Sequence, residues 1–94
     1  MKERPFTIFY HQSVVKIDIP KISRGFQIRI QEAIEEKLTT NPEIFGKPLR
    51  RSLSGYRKLR VGDYRVIFRI EKQIIKILVI GHRKDVYKIS EIRN

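Results

Sequence analysis

The sequence predicts an α+β fold: a small, mostly antiparallel sheet with two N-terminal helices packed on one face and a short C-terminal helix. Three patterns predict it. An apolar stripe at helical spacing occupies the first half of the chain, two alternating segments follow on either side of a tight turn, and a nearly continuous apolar segment comes next. A chain of 94 residues has room for one core, so residues 1–94 are expected to form a single domain.

The first two predicted elements are a strand and a short helix. Residues 5–10 alternate in polarity, as in a strand with one wetter face. Residues 11–19 carry four β-branched apolar side chains and precede Pro20, which predicts a short helix that ends before the proline.

A longer second helix is predicted to begin after Ser23, a suitable cap, and to continue to about Thr39. Asn41 and Pro42 end it. Ile28 falls on the opposite face, where packing against the preceding helix is the expected explanation. The stripe on the main apolar face consists of Ile22, Phe26, Ile30, Ala33, Ile34 and Leu38.

The second half of the chain predicts three strands and a helix. Residues 56–61 and 64–70 alternate in polarity around a turn at Gly62 and Asp63, giving a hairpin with one apolar and one basic face. Residues 74–80 are almost all apolar, as expected of an inner strand covered on both faces. Residues 85–92 predict a short terminal helix. We expect the helices on one face of the sheet and the basic face open to a ligand.

The charge balance indicates a polyanionic partner. The chain has 21 Lys and Arg against 10 Asp and Glu, a net charge of +11. Solubility does not require so large an excess on so short a chain. An anionic membrane fits less well, because no segment combines a long apolar face with a Lys-rich one. An acidic protein partner stays open.

The composition also excludes several classes of protein. Without cysteine there can be no disulfide framework, thiolate metal site or zinc nucleic-acid module. The first residues lack the apolar centre of a signal peptide, and no apolar run approaches the length of a membrane span. We expect the protein to work in the cytoplasm, and no cofactor or metal is expected.

The basic face of the predicted hairpin is the first candidate site. Pairing of the two strands would set four cations side by side: Lys58, Arg60, Arg65 and Arg69. Like charges at this spacing repel, so an anion between them explains the cluster better than a structural role does. His82 and Arg83 follow the inner strand directly, and Tyr87 comes about one helical turn later, where loops at strand ends commonly hold functional groups.

Two segments give the chain a specific resemblance. Residues 55–68 (GYRKLRVGDYRVIF) and 81–87 (GHRKDVY) resemble the RelE/ParE toxin superfamily, and residues 19–21, 41–42 and 46–49 are similar to the family's N-terminal half. The resemblance covers nearly the whole chain. It implies a RelE-like βααβββ(α) fold.

The resemblance further implies the toxin of a type II toxin-antitoxin system, acting as a ribosome-dependent endoribonuclease. Such an mRNA interferase cuts messenger RNA through attack of the ribose 2′-hydroxyl on the adjacent phosphate, leaving a 2′,3′-cyclic phosphate, and needs no metal ion. The implied partners are a cognate acidic antitoxin, messenger RNA and the ribosome, with the toxin a monomer by itself and part of a hetero-oligomer with its antitoxin.

The resemblance also assigns roles to residues. Arg65 and Arg83 match the family's phosphate-stabilising arginines, and Tyr87 matches the tyrosine that orients or deprotonates the nucleophile. Lys58 falls near the family's strand lysine, and Lys58, Tyr87 and His82 remain competing candidates for base and acid. The predicted phosphate-binding residues are Lys58, Arg60, Arg65, Arg69, Arg83 and Lys84.

Two other functions remain possible at this point. A ParE-like protein would inhibit DNA gyrase on the same fold without cutting RNA, and fold alone does not separate the two activities. The combination of Arg65, Arg83 and Tyr87 favours the nuclease. A non-catalytic RNA-binding module would need only the charge and would not explain this combination.

Overall fold

One mixed sheet organises the chain in the computed structural model, which describes residues 5–94. Among these residues the strand order is β1-β5-β4-β3-β2, and only β1 runs parallel to its neighbour. The five strands are β1 (Thr7–Tyr10), β2 (Lys47–Pro48), β3 (Arg57–Val61), β4 (Tyr64–Glu71) and β5 (Ile74–His82). The predicted hairpin and inner strand are therefore confirmed.

The pairing of β4 with β5 contains a β-bulge. Phe68 lies opposite Ile77, but Ile67 lies opposite Val79, so Leu78 has no partner residue in β4. The extra residue shifts the alternation of β5 by one position. Both faces of β5 are buried, which explains the nearly continuous apolar run of this strand.

The first helical segment extends past the position where the sequence predicted its end. A π-helical stretch (Val14–Asp18) continues as a 3-10 turn (Ile19–Lys21) that includes Pro20. The prediction of a helix ending before Pro20 was wrong. Pro20 lies at the start of the 3-10 turn, where its missing N–H group is not needed for a helical hydrogen bond.

The second helical segment, α1 (Arg24–Ala33), continues as a π-helical turn (Ile34–Leu38). A short helix, α2 (Pro42–Phe45), then begins with proline in its first turn. The α1 segment buries Ile30, Ile34 and Leu38 against the sheet, as its stripe predicts. Ile28 is 47% exposed, so the expectation that it packs against the preceding helix was wrong.

The C-terminal helix, α3 (Val86–Arg93), packs on the opposite face of the sheet from the two N-terminal segments. Val86 is buried with Ile67 and Val79, and Tyr87 and Ile89 pack around this second cluster. The expectation that all helices share one face was therefore wrong. The basic face is therefore only partly open, because α3 packs on it. No helix in residues 5–94 is long and apolar enough to cross a membrane.

Candidate nucleic-acid interface

The β3–β4 hairpin sets the four predicted cations on one face, with Arg69 the farthest from the turn. Lys58 and Arg60 are two residues apart on β3, and Arg60 lies directly opposite Arg65 on β4. Lys58 is opposite Ile67, whose side chain is buried against α3. Because side chains alternate along a strand, all four cations lie on the face that α3 partly covers.

The Arg65 guanidinium is held by its own turn. Its Nη1 donates to the Gly62 carbonyl oxygen at 3.0 Å and to the Tyr64 carbonyl oxygen at 2.9 Å. Gly62 adopts a φ of 60°, in the left-handed region that the tight reversal requires. The turn therefore fixes the guanidinium in place before any ligand binds.

Packing of α3 brings Tyr87 to the same surface. The Lys58 ammonium lies 5.9 Å from the centroid of the Tyr87 ring, and both side chains are half-buried. Tyr87 is placed there because Val86 and Ile89 bury the adjacent face of α3 against the sheet. Lys58 on β3 and Tyr87 on α3, which are distant in the sequence, thus become neighbours.

A cleft of about 270 Å³ lies at the edge of the sheet beside Lys58. It is lined by Lys37, Phe45, Lys47, Lys58, Leu59, Arg60 and Arg65. All five of its charged residues are cations, so the cleft attracts anions. The sequence analysis missed Lys37 and Lys47, since one lies at the end of the α1 segment and the other in a two-residue strand that no local pattern indicates.

Arg83 lies at the end of β5 and is joined to the β3–β4 turn. Its backbone N–H donates to the Asp63 carbonyl oxygen at 2.8 Å, and its Nε is 3.9 Å from Asp63 Oδ1. The side chain is 56% exposed and available to a ligand. Arg65 and Arg83 are thus both attached to the turn at Gly62 and Asp63. Lys84 follows on the exposed turn before α3.

His82 lies on the other face of the sheet. It pairs with Tyr64, and the two rings meet edge to face with centroids 5.9 Å apart. Tyr64 in turn contacts the Phe26 ring of α1 at 5.0 Å. The Nδ1 atom of His82 accepts a hydrogen bond from the Lys84 backbone N–H at 3.2 Å. The structure therefore separates His82 from the face that carries Lys58, Arg60 and Arg65.

Arg69 is also apart from the cleft. Its Nη2 lies 2.6 Å from a carboxylate oxygen of Glu71, which also pairs with Lys76 at 3.0 Å. The hydrogen bond from Lys76, together with the charges of Lys76 and Arg69, lowers the pKa of Glu71. Arg69 thus shares one local carboxylate with Lys76.

The titratable groups of the described residues do not form a metal-binding cluster: no three His, Asp or Glu side chains come together in a way that could hold an ion. The surface instead offers guanidinium and ammonium groups beside a phenol. Such groups can bind phosphate oxygens, stabilise negative charge that develops on them, and exchange protons with a hydroxyl.

Comparison with known proteins identifies the family. Residues 10–87 match the family model described as "ParE toxin of type II toxin-antitoxin system, parDE". The chain belongs to the RelE/ParE superfamily of type II toxins.

Individual relatives agree with this assignment. Toxin RelG of Mycobacterium tuberculosis is 31% identical over 89% of this chain and 98% of its own length. Toxin RelE of the same organism is 29% identical over 89% of this chain and 92% of its own length. A chain in the crystal structure of the toxin-antitoxin complex RelBE2, also from M. tuberculosis, superposes with a TM-score of 0.78 at 31% identity, covering 84% of this chain and 99% of that chain.

Proposed function

We propose that this toxin is an endoribonuclease that cuts messenger RNA on the ribosome, in the cytoplasm, without a metal ion. The observation that carries the proposal is that the Lys58 ammonium lies 5.9 Å from the centroid of the Tyr87 ring, on the face that also holds Arg65. The activity is the one that the family resemblance implies. Of the residues to which the resemblance assigns chemical roles, a candidate base and a phosphate-binding cation lie on one surface.

The proposed reaction is an internal transesterification. The ribose 2′-oxygen forms a bond to the phosphorus of the adjacent phosphodiester, and the bond from phosphorus to the 5′-oxygen breaks. The 2′-hydroxyl proton passes to a base on the protein, and the departing 5′-oxygen takes up a proton from an acid. The products are a 2′,3′-cyclic phosphate and a free 5′-hydroxyl.

In this reaction Arg65 and Arg83 stabilise the negative charge that builds up on the phosphate oxygens. Arg65 suits this role because two carbonyl oxygens hold its guanidinium in place, so little reorganisation is needed at the moment of reaction. Arg83 is more exposed and can close on the phosphate from the end of β5. Removal of one such preorganised donor typically costs about a hundredfold or more in rate.

Lys58 and Tyr87 are the proposed base and acid, and either of them can take either role. Both side chains border the same surface, so a nucleotide bound there can exchange a proton with either group. His82 is a weaker candidate because it packs against Tyr64 on the opposite face.

We also propose an acidic antitoxin as the partner that restrains this activity. The RelBE2 chain that resembles this one comes from a complex of a toxin with its antitoxin. A net charge of +11 favours an acidic partner whose charges complement the cationic surface. Co-expression of the toxin gene with its neighbouring gene, followed by purification through a tag on the toxin, should recover a small acidic protein.

Primer extension on messenger RNA from a translating extract tests the nuclease. The wild-type protein should produce discrete stops that require ribosomes, and Arg83→Ala and Tyr87→Phe should abolish them. The matched control is Arg24→Ala, which removes the same charge from an exposed position of α1 outside the cleft. Uncut messenger RNA in the presence of the wild-type protein would refute the proposal.

A gyrase inhibitor is the second candidate, because the matching family model is that of the ParE toxins. It predicts a different result in the same set of variants. Supercoiling by purified DNA gyrase should fall when the protein is added, and Arg83→Ala and Tyr87→Phe should remain toxic to cells.

A further inference from the structure

An exposed aromatic ring lies at the rim of the basic cleft. Phe45 is the last residue of α2, is 42% exposed and lines the cleft together with Lys37 and Lys47. The Lys37 ammonium is 5.5 Å from the centroid of the ring. The catalytic role proposed for Lys58, Arg65 and Tyr87 does not use this part of the cleft.

The segment that follows Phe45 and borders the cleft is held in place by the core and by β3. Gly46 passes so close to the buried Phe68 ring that any side chain at this position would collide with it. The Arg57 guanidinium donates to the Gly46 carbonyl oxygen at 2.8 Å, and Lys47 pairs with Lys58 across the two strands. The ring and the neighbouring ammonium groups therefore keep a fixed relation to the hairpin.

We propose that this part of the cleft binds a second nucleotide of the RNA, adjacent to the one that is cut. Its base stacks against Phe45, and its phosphate is bound by Lys37 and Lys47. An aromatic face beside cations, with no acidic residue lining the cleft, matches the alternation of base and phosphate along a single strand. An acidic peptide would satisfy the charges but would not use the ring.

The cleft continues to the proposed cleavage surface, because Lys58, Arg60 and Arg65 line it as well. A strand bound at Phe45 would therefore place its next phosphate among these cations. This inference rests on the RNA-binding part of the proposed function. It adds a positioning site that lies outside the groups assigned to the chemical step.

Tryptophan fluorescence tests the stacking directly. The chain has no tryptophan, so Phe45→Trp introduces one tryptophan at the rim of the cleft, which can be excited at wavelengths that tyrosine does not absorb. The probe is a 2′-O-methyl oligoribonucleotide of about eight nucleotides, which fits the range of single-strand binding sites and lacks the attacking hydroxyl. Titration should quench the emission. Phe9→Trp, at an exposed site on β1 at the other edge of the sheet, should keep its emission.

Affinity for the same probe gives a second measurement. Phe45→Leu keeps an apolar side chain but removes the ring and should weaken binding about tenfold, within the range measured for loss of one stacked base. Phe45→Tyr should bind as the wild type does. Lys47→Ala should weaken binding more than Lys16→Ala, an exposed lysine of the first helical segment. Thermal unfolding of each variant checks that the fold is retained.

The outcomes separate this inference from the proposed function. Equal affinity of Phe45→Leu and the wild type, with ribosome-dependent cleavage intact, would refute the nucleotide site alone. Failure of the wild type both to bind the probe at low salt and to cleave messenger RNA would refute the nuclease as well. Tighter binding of a polyglutamate peptide than of the oligonucleotide, unaffected by Phe45→Leu, would assign the cleft to an acidic protein segment instead.

Discussion

Asp18 and Arg93 form a buried ion pair that joins the first helical segment to the C-terminal helix. Arg93 Nη1 lies 2.8 Å from Asp18 Oδ2, and the two side chains are 12% and 5% exposed. Asp18 also accepts the Ile80 backbone N–H, and Arg93 donates to the Leu78 carbonyl oxygen. Both backbone groups lie beyond the last residue of β5 that β1 pairs with. The ion pair thus supplies hydrogen bonds to β5 where the neighbouring strand has ended.

Breaking this pair should destabilise the fold strongly. Asp18→Ala leaves the Arg93 guanidinium and the Ile80 N–H without their partner, and loss of one member of a buried pair typically costs about 3–5 kcal/mol. Urea unfolding of the variant should show a lower free energy of unfolding. Glu71→Gln is the control, because the Glu71 carboxylate is exposed and its ion pairs should contribute little. Equal stability of Asp18→Ala and the wild type would contradict this role.

The pair should also influence cleavage, since α3 carries Tyr87. We expect Arg93→Met, which keeps an unbranched side chain but removes the charge and the donors, to lower the rate of cleavage at temperatures where the protein remains folded. Cleavage of messenger RNA in a translating extract, measured beside circular dichroism, checks this. A rate equal to that of the wild type would show that packing of Val86 and Ile89 is enough to hold Tyr87.

His82 should be dispensable for cleavage. It lies on the opposite face of the sheet from Lys58 and Arg65, with its ring against Tyr64. His82→Gln can still accept the Lys84 N–H through its amide oxygen, so cleavage should stay within a few-fold of the wild-type rate, whereas Tyr87→Phe should lose about a hundredfold or more. If His82→Gln lowers the cleavage rate as much as Tyr87→Phe does, His82 becomes the favoured candidate for the base.

Arg65 should act through its geometry as well as its charge. Lysine in its place keeps the charge, but it is one bond shorter and lacks the planar guanidinium that Gly62 and Tyr64 hold in place. Arg65→Lys should therefore lose about 1 kcal/mol of stability and cleave at least tenfold more slowly. Binding of the 2′-O-methyl oligonucleotide should be nearly unchanged. Arg69→Lys is the control, because lysine can still pair with Glu71. Full cleavage by Arg65→Lys would show that charge alone is sufficient.

The salt dependence of oligonucleotide binding should distinguish the cations of the cleft from the others. None of the ion pairs found among residues 5–94 includes Arg60, whereas Arg69 is paired with Glu71. The slope of log affinity against log salt should therefore become less steep by about 0.7 in Arg60→Ala, as for loss of one phosphate contact to a single strand. Arg69→Ala should change it less. Equal changes in the two variants would indicate that bulk charge drives binding.

Local pattern was enough to predict the hairpin and its cations. Alternation of side chains along a strand is a property of the backbone, so Lys58, Arg60 and Arg65 could be placed on one face before their partners were known. The apolar stripe of the α1 segment predicted its buried face for the same reason. Family resemblance supplied the roles proposed for Arg83 and Tyr87, which their spacing does not reveal.

The position of His82 depended on the tertiary structure. The pairing of Glu71 with Ile74, continued without interruption, would set His82 opposite Asp63 and on the face of Arg65. The unpaired Leu78 shifts the register by one residue, so His82 lies opposite Tyr64 instead. A shift of one residue moves a side chain to the other face of a sheet, and this bulge forms in the packed sheet without a local sequence signal.

The cleft likewise could not be predicted from the sequence. Lys37 and Lys47 reach it from a helical turn and a two-residue strand, and Tyr87 meets Lys58 because α3 packs on the second face of the sheet. The sequence by itself determined the elements, their apolar faces and the cationic hairpin, because these follow from periodicity along the chain. Only the tertiary structure decided which distant residues share a surface, because that depends on strand register and on the face against which each helix packs.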